Sequence, residues 1–387
     1  MLTILLKNCL VIDDNHNTTV QKDILIEGKK IKEMSEKTDN KDNVSQVIDI
    51  KGKYVFPGII DCHTHLGIIE EATGKIGIDN NETSDPVTPH LRGIDAINPF
   101  DISFHDAVKS GVTTVMSGPG SNNAVGGLSA AIKTHGSIID HMIVRNPIGL
   151  KIALGENPIS TYGTQNKAPV TRMGTVSLIR DLFMRTQDYI YLKEQSNLKQ
   201  RDIKLEAVIP VLKGEISLRV HAHRADDIIT AVRIAEEFNI QKLVIEHGTE
   251  ANLVKEYLKE KNIPVAYGPM LTPRIKMEMK RRHYSAVVDL MEAGVKAALI
   301  TDHPYNSIDQ LRTIAAIAIS EGLSQSDAIK SITRYPAEIL ECEDRIGKLE
   351  EGYDADLVVY DGKPLNINTK VLMTIINGEI IYRRTDS

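Results

Sequence analysis

The stretch Phe56-Pro57-Gly58-Ile59-Ile60-Asp61-Cys62-His63-Thr64-His65 decides how the rest of the chain is read. An apolar strand here ends in His-x-His. Residues i and i+2 of a strand point to the same face, so both imidazoles aim at one point. Neutral imidazoles placed this way suit zinc or a similar borderline cation. Taken alone, the pair fits two structural or surface histidines better than a ligand pair.

The same ending recurs further along. Val220-His221-Ala222-His223, Ile245-Glu246-His247-Gly248 and Leu299-Ile300-Thr301-Asp302-His303 each close an apolar run with a possible ligand or proton carrier. Four such endings in one chain are hard to reconcile with chance. Apolar runs at 58–61, 112–116, 150–154, 218–221, 243–246, 264–267 and 297–300 alternate with amphipathic segments. In one of these, residues 226–238, Ile228, Ile229, Val232, Ile234, Ala235 and Phe238 form a helical stripe with Asp226 as N-cap. Strands alternating with helices imply a parallel sheet with crossover helices. The expected class is α/β, with residues 57–344 forming a (β/α)8 TIM-like barrel whose chemistry lies at the C-terminal mouth of the strands. Residues 1–56 and 345–387 read as short strands and turns. They are expected to meet in one small β-sandwich, because the ends of a compact chain often lie close.

Lys151 is unusual because it interrupts Gly149-Leu150-Lys151-Ile152-Ala153-Leu154. Burying an ammonium is costly, and burial lowers its pKa and makes the amine nucleophilic. Such a lysine can capture carbon dioxide as a carbamate, an anionic oxygen ligand able to bridge two metals. The competing reading is a side chain that reaches a rim or pairs with Glu156. The Gly/Asn-rich run 118–127 reads as a tight connection or a cradle of backbone N–H groups. The long segment 67–100 leaves the first metal strand and is positioned to cover the site.

Composition narrows the function classes. The net charge is −6, with no basic patch to bind nucleic acid. The three cysteines, Cys9, Cys62 and Cys342, show no paired spacing, which suits a reducing compartment. The opening run Met1-Leu2-Thr3-Ile4-Leu5-Leu6-Lys7 reads as a strand, not a signal peptide. No apolar run reaches the roughly 18–20 residues of a membrane span. A cytoplasmic protein with no nucleic-acid or membrane partner is expected.

Together these residues resemble the amidohydrolase superfamily, in its dihydroorotase, isoaspartyl dipeptidase and prolidase-like branch. The run from Arg345 through Gly347, Gly352, Asp354 and Asp356 to Val358 resembles that superfamily's return from barrel to sandwich. Ile24-Leu25-Ile26-Glu27-Gly28-Lys29-Lys30-Ile31 resembles its N-terminal sandwich strands. The resemblance implies two divalent metals, Zn2+ with Mn2+ or Fe2+ as alternatives. His63 and His65 would hold the more buried metal, His221 and His247 the more exposed one, and carboxylated Lys151 would bridge them. Asp302 would bind the first metal and serve as general acid and base for a metal-bridging hydroxide that cleaves a C–N bond. The implied substrate is a small-molecule amide, cyclic amide or dipeptide-like compound, and a homo-oligomer is expected.

Substrate-contact candidates are His223, His90, Glu156 and Arg172, with Glu156 also an alternative to Lys151 as the bridge. Deaminases of this superfamily carry a Glu three residues after the fifth-strand His, where this chain has Arg224. That departure argues against a mononuclear deaminase or imidazolonepropionase-like enzyme. A non-catalytic scaffold homologue would lack metal ligands, whereas every ligand position here is filled.

Overall fold

The computed structural model describes residues 2–13, 18–38 and 44–385; Met1, which opens the N-terminal run, lies outside them. The strands are β1 (Thr3–Asp13), β2 (Thr18–Glu27), β3 (Lys30–Ser35), β4 (Gln46–Asp49), β5 (Tyr54–Pro57), β6 (Ile59–Thr64), β7 (Val112–Ser117), β8 (Val125–Lys133), β9 (Ile143–Ala153), β10 (Ser217–Ala222), β11 (Leu243–His247), β12 (Val265–Tyr267), β13 (Ala297–Leu299), β14 (Leu357–Tyr360), β15 (Val371–Ile376) and β16 (Glu379–Arg383). They form two sheets. One runs β6 to β13 in sequence order. The other runs β16-β15-β14-β5-β1-β2-β3, with β4 also pairing β1, so both chain ends share it. Among the described residues no helix is long and apolar enough to cross a membrane.

The β6–β13 sheet is nearly closed on itself. Its first and last strands meet beyond their ends, where Asp302 N–H donates to His63 O (3.2 Å) and His65 N–H to His303 O (2.9 Å). A buried carboxylate fastens the same seam. Asp61 Oδ2 accepts from the Thr301 N–H (3.0 Å) and hydroxyl (2.6 Å), and Oδ1 accepts from His63 N–H (3.1 Å).

Not every strand of this sheet runs the same way, as uniform strand–helix alternation implies. β8 is antiparallel to both β7 and β9. The reason is length. Only residues 118–124 separate β7 from β8, and a parallel crossover needs about a dozen residues or more. The Gly/Asn-rich run is therefore the connection into a reversed strand.

A buried ionic cluster joins the sheets. Lys133, at the end of β8, contacts Asp356 and lies 3.0 Å from Asp354 Oδ2. Arg345 (2.7 Å) and Lys30 (2.9 Å) also reach Asp354. Burial alone raises a carboxyl pKa, but Lys133 and the hydrogen bonds from Lys30 and Arg345 hold Asp354 down at about 2. This stabilisation is present above the unfolded value near 4 and is lost as pH falls through 2. Lys133→Met leaves buried Asp356 without its cation, while Asp354 keeps Lys30 and Arg345. Urea unfolding at pH 7 is expected to show a loss of about 3–5 kcal/mol, shrinking toward pH 2.

Candidate metal centre

Inside the β6–β13 sheet, side chains lie in layers. An apolar layer of Ile60, Cys62, Met116, Ile148, Val244 and Ala298 fills one end. Above it, β10 turns Arg219 and His221 to the same face by strand alternation, and its neighbours place Lys151 beside Arg219 and Glu246 beside His221. Glu246 is 0% exposed. Its carboxylate touches Lys151 Nζ, accepts from Arg219 Nε at 2.7 Å and lies 3.0 Å from His63 Nδ1. Arg219 also donates to Cys62 O (2.7 Å). Burial opposes charge on Glu246, yet His63, Lys151 and Arg219 hold its pKa well below the usual value. Burial lowers the Lys151 pKa in spite of Glu246.

The next layer is made of imidazoles. His63 Nε2 and His65 Nε2 both face Asp302 Oδ1, at 3.1 and 3.4 Å. The His247 ring lies 4.8 Å from His63, 4.4 Å from His221 and 4.9 Å from His223, centre to centre. Two sets of ligand atoms converge, one from His63, His247 and Asp302 and one from His221, His223 and His247. Backbone carbonyls aim two of the rings: Gly118 O at His65 Nδ1 (2.8 Å) and Gly268 O at His247 Nδ1 (3.0 Å). Such partners set the tautomer and leave the opposite nitrogen for a metal. His247 and Asp302 sit at φ +72° and +54°, a region non-glycine residues seldom adopt and one that clusters at functional sites.

The protonation states suit a cation. Burial, reinforced by neighbouring imidazoles, pushes His221 and His247 well below the ordinary value, and burial takes His223 to about 4. Burial resists ionising Asp302, but the surrounding histidines keep its pKa well below the usual range. His63 differs: burial opposes its charge, but Glu246 and Asp302 raise its pKa. The result is that His221, His223 and His247 are held neutral close to an ionised Asp302, and His221 Nδ1 has no hydrogen-bond partner. The residues fit a divalent metal.

The layer opens into a cavity of about 270 Å³ lined by His63, His65, Lys151, His221, His223, His247 and Asp302. The segment 67–100 reaches it through Asn80 and Asn81; His90 does not line it. Arg172 is held by Asp227 (3.1 Å) in a separate cleft. The Glu156 carboxylate accepts from the backbone N–H of Glu278 (3.2 Å). Glu246, Arg219, Asp61 and Glu278 belong to the site although sequence reasoning did not single them out. For Arg219 the signal existed, since it interrupts an apolar strand just as Lys151 does.

A family model described as "Amidohydrolase family" matches residues 98–382. The crystal structure of an amidohydrolase from Thermotoga maritima MSB8 superposes with a TM-score of 0.95 at 42% identity, covering 98% of this chain and 100% of that one. Amidohydrolase tasK of Hapsidospora irregularis is 28% identical over 88% of this chain, which spans only 38% of that relative's length. A dihydroorotase of Streptococcus thermophilus is 21% identical over 98% of this chain and 100% of its own.

Gly268 (φ +151°) brings its carbonyl to His247 where an added Cβ would lie 2.5 Å from Ile300 O. Gly268→Ala is expected to weaken metal binding about 10–100-fold in chelator competition, the usual effect of losing a ligand's orienting partner.

Proposed function

The chain belongs to the amidohydrolase family, and from that membership we propose that it is a metal-dependent hydrolase of C–N bonds, acting on a small amide, cyclic amide or dipeptide-like molecule. The observation that carries this reading is the convergence of His63, His65, Lys151, His221, His247 and Asp302, drawn from five strand ends, on one cavity. The finer architecture goes with it: residues 57–344 as a TIM-like barrel with one reversed strand, and 1–56 with 345–387 as an accessory β-sandwich.

Two divalent cations, Zn2+ or else Mn2+ or Fe2+, supply when bound a Lewis acid for the carbonyl and a lowered pKa for water. His63, His65 and Asp302 would hold one, and His221 and His247 the other. Lys151, which lines the same cavity, would be their bridge once carboxylated. Burial favours its neutral amine, whose lone pair would add to carbon dioxide as the nitrogen gives one proton to solvent water through the cavity. Asp302, ionised and facing the cavity, takes the proton of the attacking water and returns it to the leaving nitrogen. Asn80, Asn81, Ser121 and Asn157 offer uncharged polar contacts to a substrate, and Lys276 offers a cation to a carboxylate. That combination favours dipeptide-like and N-acyl amino acid substrates within the wider amide class.

One observation favours the alternative deaminase or imidazolonepropionase-like reading. Arg224 is tied to exposed Asp226 at 2.8 Å, but a different carboxylate, Glu278, stands 3.7 Å from His221 Nε2. Screening metal-loaded protein against dipeptides, N-acyl amino acids and cyclic amides, with ammonia release followed in parallel, separates the two. Amide cleavage without ammonia from aminated rings is the expected result.

Three outcomes test the mechanism. Exhaustive chelation should abolish turnover, and Zn2+ or Mn2+ should restore it; fully active metal-free protein would sink the proposal. Asp302→Asn should lose turnover by roughly 10²–10⁴ while elemental analysis still finds metal. Lys151→Ala should lose activity that added short-chain carboxylates partly restore, and normal rate with normal metal content removes Lys151 as the bridge.

A further inference from the structure

Glu278 is a buried carboxylate with only half of its hydrogen-bonding capacity used. It lies in the turn Met277–Met279, in the loop that follows β12, and is 2% exposed. One oxygen is fixed: Oε2 accepts from the Glu156 N–H at 3.0 Å, and in return the Glu278 N–H donates to Glu156 Oε2 at 3.2 Å. This reciprocal pair ties the loop to the helix start after β9. Gly155 leaves the room for it, because a Cβ there would lie 2.5 Å from Glu278 Oε2.

The other oxygen, Oε1, is buried and makes no hydrogen bond. It faces His221 Nε2 at 3.7 Å and His223 Nε2 at 3.8 Å, with Lys276 Nζ at 3.9 Å. The His223 ring is held from behind, where Nδ1 meets Thr249 Oγ1 at 2.7 Å. Burying a carboxylate oxygen without a donor is costly. The imidazole separations are too long for hydrogen bonds. They are close to the spacing of ligands around a common ion, since atoms bound at 2.0–2.2 Å in a tetrahedral zinc site lie roughly 3.4 Å apart.

Resting on the reading of this cavity as a metal centre, the structure assigns Glu278 as a direct ligand, completing with His221, His223 and His247 a site for one divalent cation. His223 thereby becomes a ligand, not a substrate contact. Three neutral nitrogens and one carboxylate suit Zn2+ or a similar borderline ion. Thr272, Ile275, Lys276 and Met279 of the same loop line the cavity, so a cation bound here fastens the roof of the cavity to its floor.

The test uses the full chain loaded with Zn2+ or Co2+, comparing wild type with Glu278→Gln. Glutamine keeps an acceptor for the Glu156 N–H but offers a poor ligand on its other arm. Wild type should retain two equivalents under chelator challenge. Glu278→Gln should retain one, with the second bound more than about 100-fold more weakly, beyond the 10–100-fold typical of a lost orienting partner. The visible Co2+ spectrum should change with it. Unchanged stoichiometry and chelator resistance, or an unchanged Co2+ spectrum, overturns the assignment, as does intact metal binding with lost turnover. Each of those results leaves the hydrolase reading standing, whereas a wild type that binds no metal defeats both. If Glu278→Gln does not fold, His223→Gln, which leaves the Glu156 link intact, is read by the same titration. Loss of one equivalent supports the assignment, and two tightly held equivalents overturn it.

Discussion

The site is built over an ionised carboxylate that has no access to water. An unpaired charge at the position of Glu246 would be among the most expensive groups a protein can bury. With Lys151 unmodified, the chain surrounds it with Arg219, Lys151 and His63, each from a different strand. The cost of leaving any of them unpaired fixes the relative positions of β6, β9, β10 and β11. The ligand-bearing ends of those strands are therefore placed before any metal arrives. Such advance placement is what a metal or catalytic site requires of its scaffold.

What the sequence discloses follows from how local each signal is. The His63-Thr64-His65 pair, His221, His247 and Asp302 were legible because each closes an apolar run, and a strand has only one mouth end. Lys151 was legible because a charge inside such a run demands a reason. Arg219 and Glu246 satisfy the same criterion, and each is half of the reason for the other. Pairing across strands is not visible from either strand alone. Glu278 had no local signal. It sits in Arg274-Ile275-Lys276-Met277-Glu278-Met279-Lys280-Arg281-Arg282, a charged stretch that reads as solvated surface, and only the path of the loop after β12 buries it. The reversed β8 was obscured by its own composition. Gly126 and Gly127 open it and blur the apolar pattern, although the short connection before it carried the topological information.

The candidates that came together and those that did not differ in the same way. His63, His65, His221, His223, His247, Lys151 and Asp302 sit on or immediately beyond strands, whose ends have little freedom. His90 sits on a connection and Arg172 opens the helix Arg172–Glu194, and the structure places Arg172 with Asp227 and His90 away from the cavity. Connections also supply Asn80, Asn81 and Lys276 to the cavity wall, and the helix Glu156–Gly163 supplies Asn157. The candidate ligands are thus carried by the strands, and much of the remaining cavity wall by segments where neither periodicity nor spacing constrains the residues.

The reversed strand spans the distance between the two ends of the molecule. Every other strand of its sheet points its C-terminal end at the cavity, whereas β8 begins there, beside Lys151 at Gly127, and ends at Lys133 among the carboxylates of the second sheet. Nine residues of hydrogen-bonded backbone thus run between the imidazole layer and the distant ionic cluster. Drift in one sheet is therefore expected to be accompanied by compensating change in the other, and the chain ends, remote from the chemistry, become part of what keeps the cavity in tune.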